Sequence, residues 1–475
     1  MAIRKIGPGL LVCFVLLSVL TSSAVKANGL AASSSPAVSA HWETGIWDGD
    51  LLASDISIVF AGKNEVPLFD YYAAGADRKT LAIPDDFLLG NCGPDNSWSC
   101  ISIPQYGVKP KISKMAIYTF VNSFKVGWAY ENTLYSDHIW LYQVELTDDL
   151  QYADFSTNEL MDIPWFMNGA TGWDMPEEPS LVFDSLGNPH VVLVIRIIGS
   201  TNKVIYIHKI TGGAKPTNPC NSDPNTLFQC DEIYSIDGYL GLRPKIVLTD
   251  TDKPRIGFFN LETNNLMYAY PKTNILLPGN CGPANTWRCI VIDSPTANFK
   301  IFEWFDMAIG PGAPQFAYKA SDPLNDGRTW IYHAKYVGSS GGGNCGEDLV
   351  LTPLPTPANV WRCTQVVKID DTTPAYTSFS IQVDPNDYAV IAHNYENGSN
   401  YHLAISYPSR RVGVDNDSWT LQKIDGTTMS TGLNVALALN SRGLGYLAYI
   451  EDEEWDPNFK IAYQLNTIFL PIIMR

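Results

Sequence analysis

The chain has 475 residues, with 49 acidic against 32 basic side chains and a formal charge of −17. Charged residues make up 17% and hydrophobic residues 45%, so a large core can form and wholesale disorder is excluded. The acidic balance argues against the basic face that a nucleic-acid binder carries. Gly (36) and Pro (31) are abundant, as in strand-and-turn proteins. At about 150 residues per domain the length predicts about three domains, a count that closed all-β folds break.

Residues 1–27 read as a secretory signal. Arg4 and Lys5 form a positive start, Leu10 to Leu20 an uncharged apolar run, and Ala24-Val25-Lys26-Ala27 a small-residue cleavage site. As a helix the run reaches about 16 Å, short of a bilayer core of about 30 Å. An uncleaved anchor is the alternative. Cys13 follows Val12, where a lipid-modified signal would have a small residue. Cleavage after Ala27 leaves a mature chain of −20. Residues 28–41 are small and polar without periodicity, a flexible lead-in. No other segment approaches 18 consecutive apolar residues, so no membrane span is expected after cleavage.

From residue 42 onward the pattern is a repeat. In 244–250, 255–259, 265–270 and 287–293, four β-type runs with alternating apolar positions are separated by turns. The second run recurs at 66–70, 126–130, 191–194, 316–318, 389–392 and 445–449. The fourth ends in Ile103-Pro104, Ile163-Pro164, Ile236-Asp237, Ile369-Asp370 and Ile424-Asp425. Turns such as Ser185-Leu186-Gly187-Asn188-Pro189 separate the first and second runs. Seven units begin near residues 49, 109, 177, 242, 300, 375 and 430. Four-stranded units at about 50–70 residues predict an all-β, seven-bladed β-propeller over 42–464. Six or eight blades are the alternatives, because the first two units diverge most. The last unit has three clear strands, and Trp42-Glu43-Thr44-Gly45-Ile46-Trp47-Asp48 is expected to supply its fourth, closing the ring. Residues 465–475 form a tail. Its ending, Phe469-Leu470-Pro471-Ile472-Ile473-Met474-Arg475, resembles a short sorting signal of secreted bacterial proteins, with a final edge strand as the alternative.

Of the nine cysteines Cys13 leaves with the signal. The other eight fall into close pairs: Cys92/Cys100, Cys220/Cys230, Cys281/Cys289 and Cys345/Cys363. An even count in an exported chain predicts disulfides within each pair, each closing the neck of a turn between two strands. The competing reading, zinc, favours cysteines two to four residues apart, closer than any of these. Two contexts read Asn91-Cys92-Gly93…Trp98-Ser99-Cys100 and Asn280-Cys281-Gly282…Trp287-Arg288-Cys289. A third, Asn344-Cys345-Gly346…Trp361-Arg362-Cys363, has a longer insert, and Pro219-Cys220-Asn221…Phe228-Gln229-Cys230 is a looser copy.

These turns, with Asp184-Ser185-Leu186-Gly187-Asn188-Pro189-His190-Val191, resemble the repeats of secreted bacterial propellers related to the sialidase-like or BNR superfamily. The resemblance covers roughly 42–464 and implies the fold. It implies no particular activity, because this architecture hosts many. A sialidase would need an arginine cluster, a tyrosine nucleophile with a glutamate and several Asp-box turns. Only Asn325-Asp326-Gly327-Arg328-Thr329-Trp330 approaches such a box, and Arg243, Arg288 and Arg362 read as turn or strand-edge residues. His208 and His333 share one strand position, which points to packing. His393 and His402 lie in one blade without a clear Ser partner. No catalytic or metal-binding residue is assigned.

Loops between blades and loops joining second to third strands share one propeller face. There Trp165, Trp173, Tyr239, Trp304 and Trp455 would sit among carboxylates such as Asp326 and Glu396. Flat rings stack on sugars, and carboxylates accept sugar hydroxyls or bind Ca²⁺; no other cofactor is expected. The expectation is a secreted or cell-surface, non-catalytic binding or scaffold propeller for an extracellular glycan or protein. The alternative is a glycan-acting hydrolase or lyase using those carboxylates.

Overall fold

The computed structural model describes residues within 41–465, except 49–52, 63, 74–77, 85–91, 93–97, 103–112, 121–122, 133–137, 148–151, 168–172, 175–178, 198–200, 213, 224, 237–242, 273–278, 295–299, 323–327, 339–341, 347–358, 370–377, 398–399, 410–417, 426–429 and 454–455. The expected signal and sorting ending lie outside the described residues, as do the lead-in and tail except for His41 and Leu465, which pair with each other in strands.

Seven antiparallel sheets follow one another along the chain. Blade 1 comprises β2 (Ala53–Ala61), β3 (Val66–Ala73), β4 (Arg78–Pro84) and β5 (Trp98–Ser102). Blade 2 comprises β6 (Ala116–Thr119), β7 (Ser123–Asn132), β8 (His138–Thr147) and β9 (Tyr152–Asp162). In blade 3, β10 (Trp173–Asp174) and β11 (Ser180–Phe183) both pair with β12 (Pro189–Ile197), followed by β13 (Asn202–Lys209) and β14 (Phe228–Ile236). Blade 4 comprises β15 (Lys245–Leu248), β16 (Pro254–Asn260), β17 (Asn265–Pro271) and β18 (Trp287–Asp293). Blade 5 comprises β19 (Lys300–Ile309), β20 (Pro314–Asp322), β21 (Arg328–Tyr336) and β22 (Trp361–Ile369). Blade 6 comprises β23 (Phe379–Val383), β24 (Ala389–Asn397), β25 (Asn400–Pro408) and β26 (Trp419–Asp425). Blade 7 comprises β27 (Ser430–Leu439), β28 (Gly445–Glu453) and β29 (Asp456–Leu465), completed by β1 (His41–Asp48).

The first strand of each blade touches the first strand of the next, and β27 touches β2, so the ring is closed. The closing pair is antiparallel, with His41 opposite Leu465 and Ile46 opposite Lys460. The chain's front thus covers the edge that β29 would otherwise expose.

Each sheet buries both faces against its neighbours, which explains the near-continuous apolar strands. In β12, Val191, Leu193 and Ile195 enter the core between blades 2 and 3, while Val192 and Val194 enter the core between blades 3 and 4. Strand alternation therefore feeds two cores rather than a core and solvent. Each such side chain contributes roughly 1.5–3 kcal/mol by burial.

One hairpin recurs between first and second strands. The Asp184 carboxylate accepts from the N–H groups of Leu186 (2.9 Å) and Asn188 (2.7 Å). Asp384 does so for Asn386 and Tyr388, and Asn440 for Arg442 and Leu444. The fourth turn residue takes a positive φ, supplied by Gly187 (76°) and Gly443 (77°) but also by Asp252 (57°) and Asp387 (66°). The two aspartates repay that strain at blade junctions. Asp252 accepts from Ser185 N–H at 2.9 Å, and Asp387 binds Lys335 Nζ at 2.6 Å.

All four expected pairs, Cys92–Cys100, Cys220–Cys230, Cys281–Cys289 and Cys345–Cys363, are disulfides, with Cα separations of 5.1–5.9 Å. The letters around them have separate tasks. Asn280 donates to the carbonyl of Cys289 (2.8 Å) and accepts from its N–H (2.7 Å), imitating a strand partner. Asn344 does the same for Cys363. Gly282 stands at φ 74°, and a Cβ there would lie 2.4 Å from Cδ1 of Trp287, so the ring can close over the turn only above glycine.

The Cys220–Cys230 bridge, the looser copy in the sequence, forms as expected and is the most deeply buried of the four. Cys230 lies within β14, opposite Ile207, and both of its sulfur-bearing side chains, Cys220 and Cys230, are fully buried in the core between blades 2 and 3. This bridge packs into a hydrophobic core, as Cys281–Cys289 does between blades 3 and 4. The backbone around it is tied differently. No asparagine directly precedes Cys220, so the Cys230 N–H donates to the backbone carbonyl of Asn218 at 2.9 Å, and the Asn218 side-chain amide donates to the Cys230 carbonyl. The looser lettering of this copy follows from that altered pairing.

Candidate functional site

A first strand has one hydrogen-bonding neighbour, and its other edge faces the axis. Its N–H groups there need partners. Among the described residues, a side-chain oxygen of one blade supplies them at four junctions. Ser57 Oγ accepts from Met115 N–H (3.0 Å), Ser180 Oγ from Ile246 (3.2 Å), Asp306 Oδ2 from Ile381 (3.2 Å) and Ser378 Oγ from Val435 (2.8 Å). Ser57, Ser180, Asp306 and Ser378 are thereby explained as ring closures.

What remains between the first strands is an axial channel of about 200 Å³, lined by residues of all seven blades. Lys114, Arg243 and Lys245 line it, with Asp306, Ser380 and Gln382. Lys114 is exposed, and Arg243 and Lys245 are half-buried. The Arg243 guanidinium lies over the Trp304 ring, 4.1 Å from its centroid, an arrangement that fixes both groups. Asp306 also accepts from Ser380 Oγ at 3.2 Å, so its carboxylate is engaged in the blade 5–6 closure. Lys114 and Arg243 precede β6 and β15, at the end where the chain arrives from the preceding blade. A cationic lining in a chain of −17 suits a carboxylate, sulfate or phosphate group.

The aromatic residues expected to form the binding face are placed differently from one another. Trp165 stands in the short helix α1 (Ile163–Phe166), capped by Asp162, and is 40% exposed. Trp173 belongs to β10, paired with Ile197. Trp304 is not in an inter-blade loop: it lies inside β19, half-buried against the core between blades 5 and 6. Glu396 is likewise within β24, opposite Tyr401. Tyr239, Asp326 and Trp455 lie outside the described residues. Among the described members of the expected set, Trp304 is the one that meets a channel cation, Arg243. Arg243, read from sequence as a turn or edge residue, lines the channel. Its signal was a cation just before the alternation of a first strand, as in Lys114-Met115 and Arg243-Pro244-Lys245-Ile246.

The buried titratable groups hold blades together. Asp70 accepts from Ser57 N–H (2.9 Å) and from Trp128 Nε1 of the next blade, and pairs with Lys79 at 3.4 Å. Burial pushes Asp293 up to about 6, partly offset by the hydroxyl of Tyr318. His333 is pushed down to about 3 and His393 to about 4, both by burial, so both imidazoles are neutral. His393 does have a serine partner: its Nδ1–H donates to the Asn394 carbonyl (3.2 Å), which leaves Nε2 to accept from Ser406 Oγ (2.8 Å). His333 and His393 are buried and Asp293 is partly so, with its carboxylate held by Tyr318, which suits anchoring rather than proton transfer to a ligand.

No family model matches the chain, and no curated relative matches it. Among solved structures it is similar to a Trypanosoma rangeli sialidase complexed with the inhibitor DANA, at 9% identity and a TM-score of 0.40, covering 88% of this chain and 55% of that one. It is also similar to a Penicillium chrysogenum α-L-arabinanase complexed with arabinobiose (12%, TM-score 0.40, 74% and 93% covered). A third is the polysaccharide lyase Uly1 (10%, TM-score 0.40, 89% and 100% covered). The chain thus spans about half the length of the sialidase. At such identities the likeness carries no activity across.

Proposed function

We propose that the protein is a secreted or cell-surface binding propeller that receives the acidic end of an extracellular glycan at its axial channel, without turning it over. The observation that carries this reading is the cationic channel lining, Lys114, Arg243 and Lys245, in a strongly acidic chain. Four disulfides support the extracellular assignment. Binding is favoured over turnover because the channel's carboxylate, Asp306, is committed to Ser380 and Ile381. Calorimetric titration with uronate-bearing and neutral oligosaccharides tests it. Uronate binding should weaken at least ~10-fold in Lys114→Glu and fall with salt. Equal binding of both sugar classes, or none, would overturn it. Release of new reducing ends would establish the hydrolase instead.

A further inference from the structure

We propose a second ligand site, for a neutral oligosaccharide, in the groove between blades 2 and 3. This groove has a volume of about 800 Å³, within the ~300–1,000 Å³ usual for small-ligand sites. It is remote from the channel lining: its walls come from the outer strands β8 and β9, from the turn before β12 and from the loop before β14.

Most of its charged side chains have at least one polar partner inside the protein. Lys125 pairs with Glu145 (3.4 Å), and His138 Nδ1 lies 3.3 Å from Glu159. Asp162 accepts from Trp165 N–H (3.0 Å) and Asp223 from Asn225 N–H (2.8 Å). Lys209 is the one lining charge without a partner among the described residues. A charged ligand would have to disturb these pairs or go unanswered, whereas a neutral one does neither.

The polar groups left over are amides. The side chains of Gln143, Asn158 and Asn225 line the groove and have no protein partner among the described residues. Each offers both donors and an acceptor, which matches hydroxyls that donate and accept at once. Beside them stand Phe120 (37% exposed), Leu227 (43%) and Leu186 (70%), half of the exposed large apolar side chains among the described residues. Phe120 is held in place by the ring of Tyr118, edge-on at 4.4 Å, and by Lys125 Nζ at 5.3 Å from its centroid. A fixed ring beside free amides is what a sugar needs, with its C–H face on the ring and its hydroxyls on the amides. A peptide would bring charges of its own, and Lys209 alone is left to meet them.

The test is calorimetric titration of the full chain with cello-, xylo-, manno- and maltohexaose at low and high salt. At least one should bind with little salt dependence, since no ion pair forms. Phe120→Ala and Asn158→Ala should each weaken it at least ~10-fold. Lys114→Glu, which disables the axial site, should leave it unchanged, so the two sites fail separately. Should Phe120→Ala melt early, Asn158→Ala decides, because that side chain is exposed on an outer strand. Binding of none of the four, binding that falls with Lys114→Glu, or capture of unstructured peptides in their place would overturn the proposal.

Discussion

Tyr318 donates its phenolic hydrogen to Asp293 Oδ2 at 2.6 Å, tying the last residue of β18 to the second strand of blade 5. Tyr449 and Asp425 repeat the bond at 2.6 Å between blades 6 and 7. In both cases the carboxylate closes the Ile-Asp ending of a fourth strand and the phenol comes from the next second strand. The repeated letters are thus half of an inter-blade lock.

Burial of Asp293 should make the fold more stable in acid, although the Tyr318 bond itself is stronger to the ionised carboxylate. Asp293 is held up at about 6 by burial, above its ordinary 3.8. Its stabilising share is full below about 4 and is lost as pH rises through 6. Every tenfold change in its proton affinity on folding corresponds to about 1.4 kcal/mol. Asp293→Asn, neutral at every pH, should therefore gain stability relative to the parent between pH 4 and 7. Tyr318→Phe removes the donor and should cost about 1–3 kcal/mol, more at pH 7.5 than at pH 4.5. Denaturant melts of the three proteins at both pH values check this.

The buried imidazoles act in the opposite sense. His393 is depressed to about 4, below its ordinary 6.5. The unfolded chain takes up a proton first, so stability present above 6.5 is lost as pH falls towards 4. His393→Gln should flatten that acid loss while lowering stability at neutral pH, because Ser406 loses a shaped partner. Urea unfolding from pH 7 to pH 4.5 reads both effects. A parallel pH slope in parent and variant would refute the assignment.

In the cysteine turns the asparagine should matter nearly as much as the disulfide. Asn280 satisfies both backbone groups of Cys289, so Asn280→Ala strands a donor and an acceptor and should cost about 1–3 kcal/mol. Replacing both Cys281 and Cys289 with Ser should cost roughly 2–3 kcal/mol in the loop-closure picture. Thermal unfolding of the two variants provides the comparison. An Asn280→Ala protein as stable as the parent would mean the side chain is replaceable by water.

Much of the ring was legible in the sequence because its signals are local. The Asn-Cys-Gly and Trp-x-Cys letters, the Asp-x-x-Gly-Asn hairpin and the Ile-Asp endings each lie within a few residues of what they bond. The burial of Cys230 was not legible, because the core it enters is shared with blade 2. The site was legible only in part, because it too is assembled across blades. Lys114 and Arg243 come from blades 2 and 4 and meet only at the axis. Trp304 read as a loop aromatic because a register shift between Ile301 and Phe305 breaks the alternation of β19. Gln143 and Asn158 carry no motif at all. Their role depends on the neighbouring blade's turn at Leu186 standing across the groove.

The N-terminal strand is the easiest element of the ring to remove. β1 gives blade 7 its fourth strand, pairing with β29 from His41 opposite Leu465 to Asp48 opposite Phe459. Without it, β29 would present an open edge. A chain beginning at Gly49 should therefore melt on the order of 10 °C lower, since one kcal/mol shifts large domains by a few degrees. It should also self-associate through that edge. A chain beginning at His41 keeps every pairing of β1 and should match the longer protein in both respects. Calorimetry and light scattering on the two chains decide the matter. Equal melting temperatures would show that ring closure does not depend on the strand, and a lower one without self-association would show that the β29 edge is blunted by its own side chains.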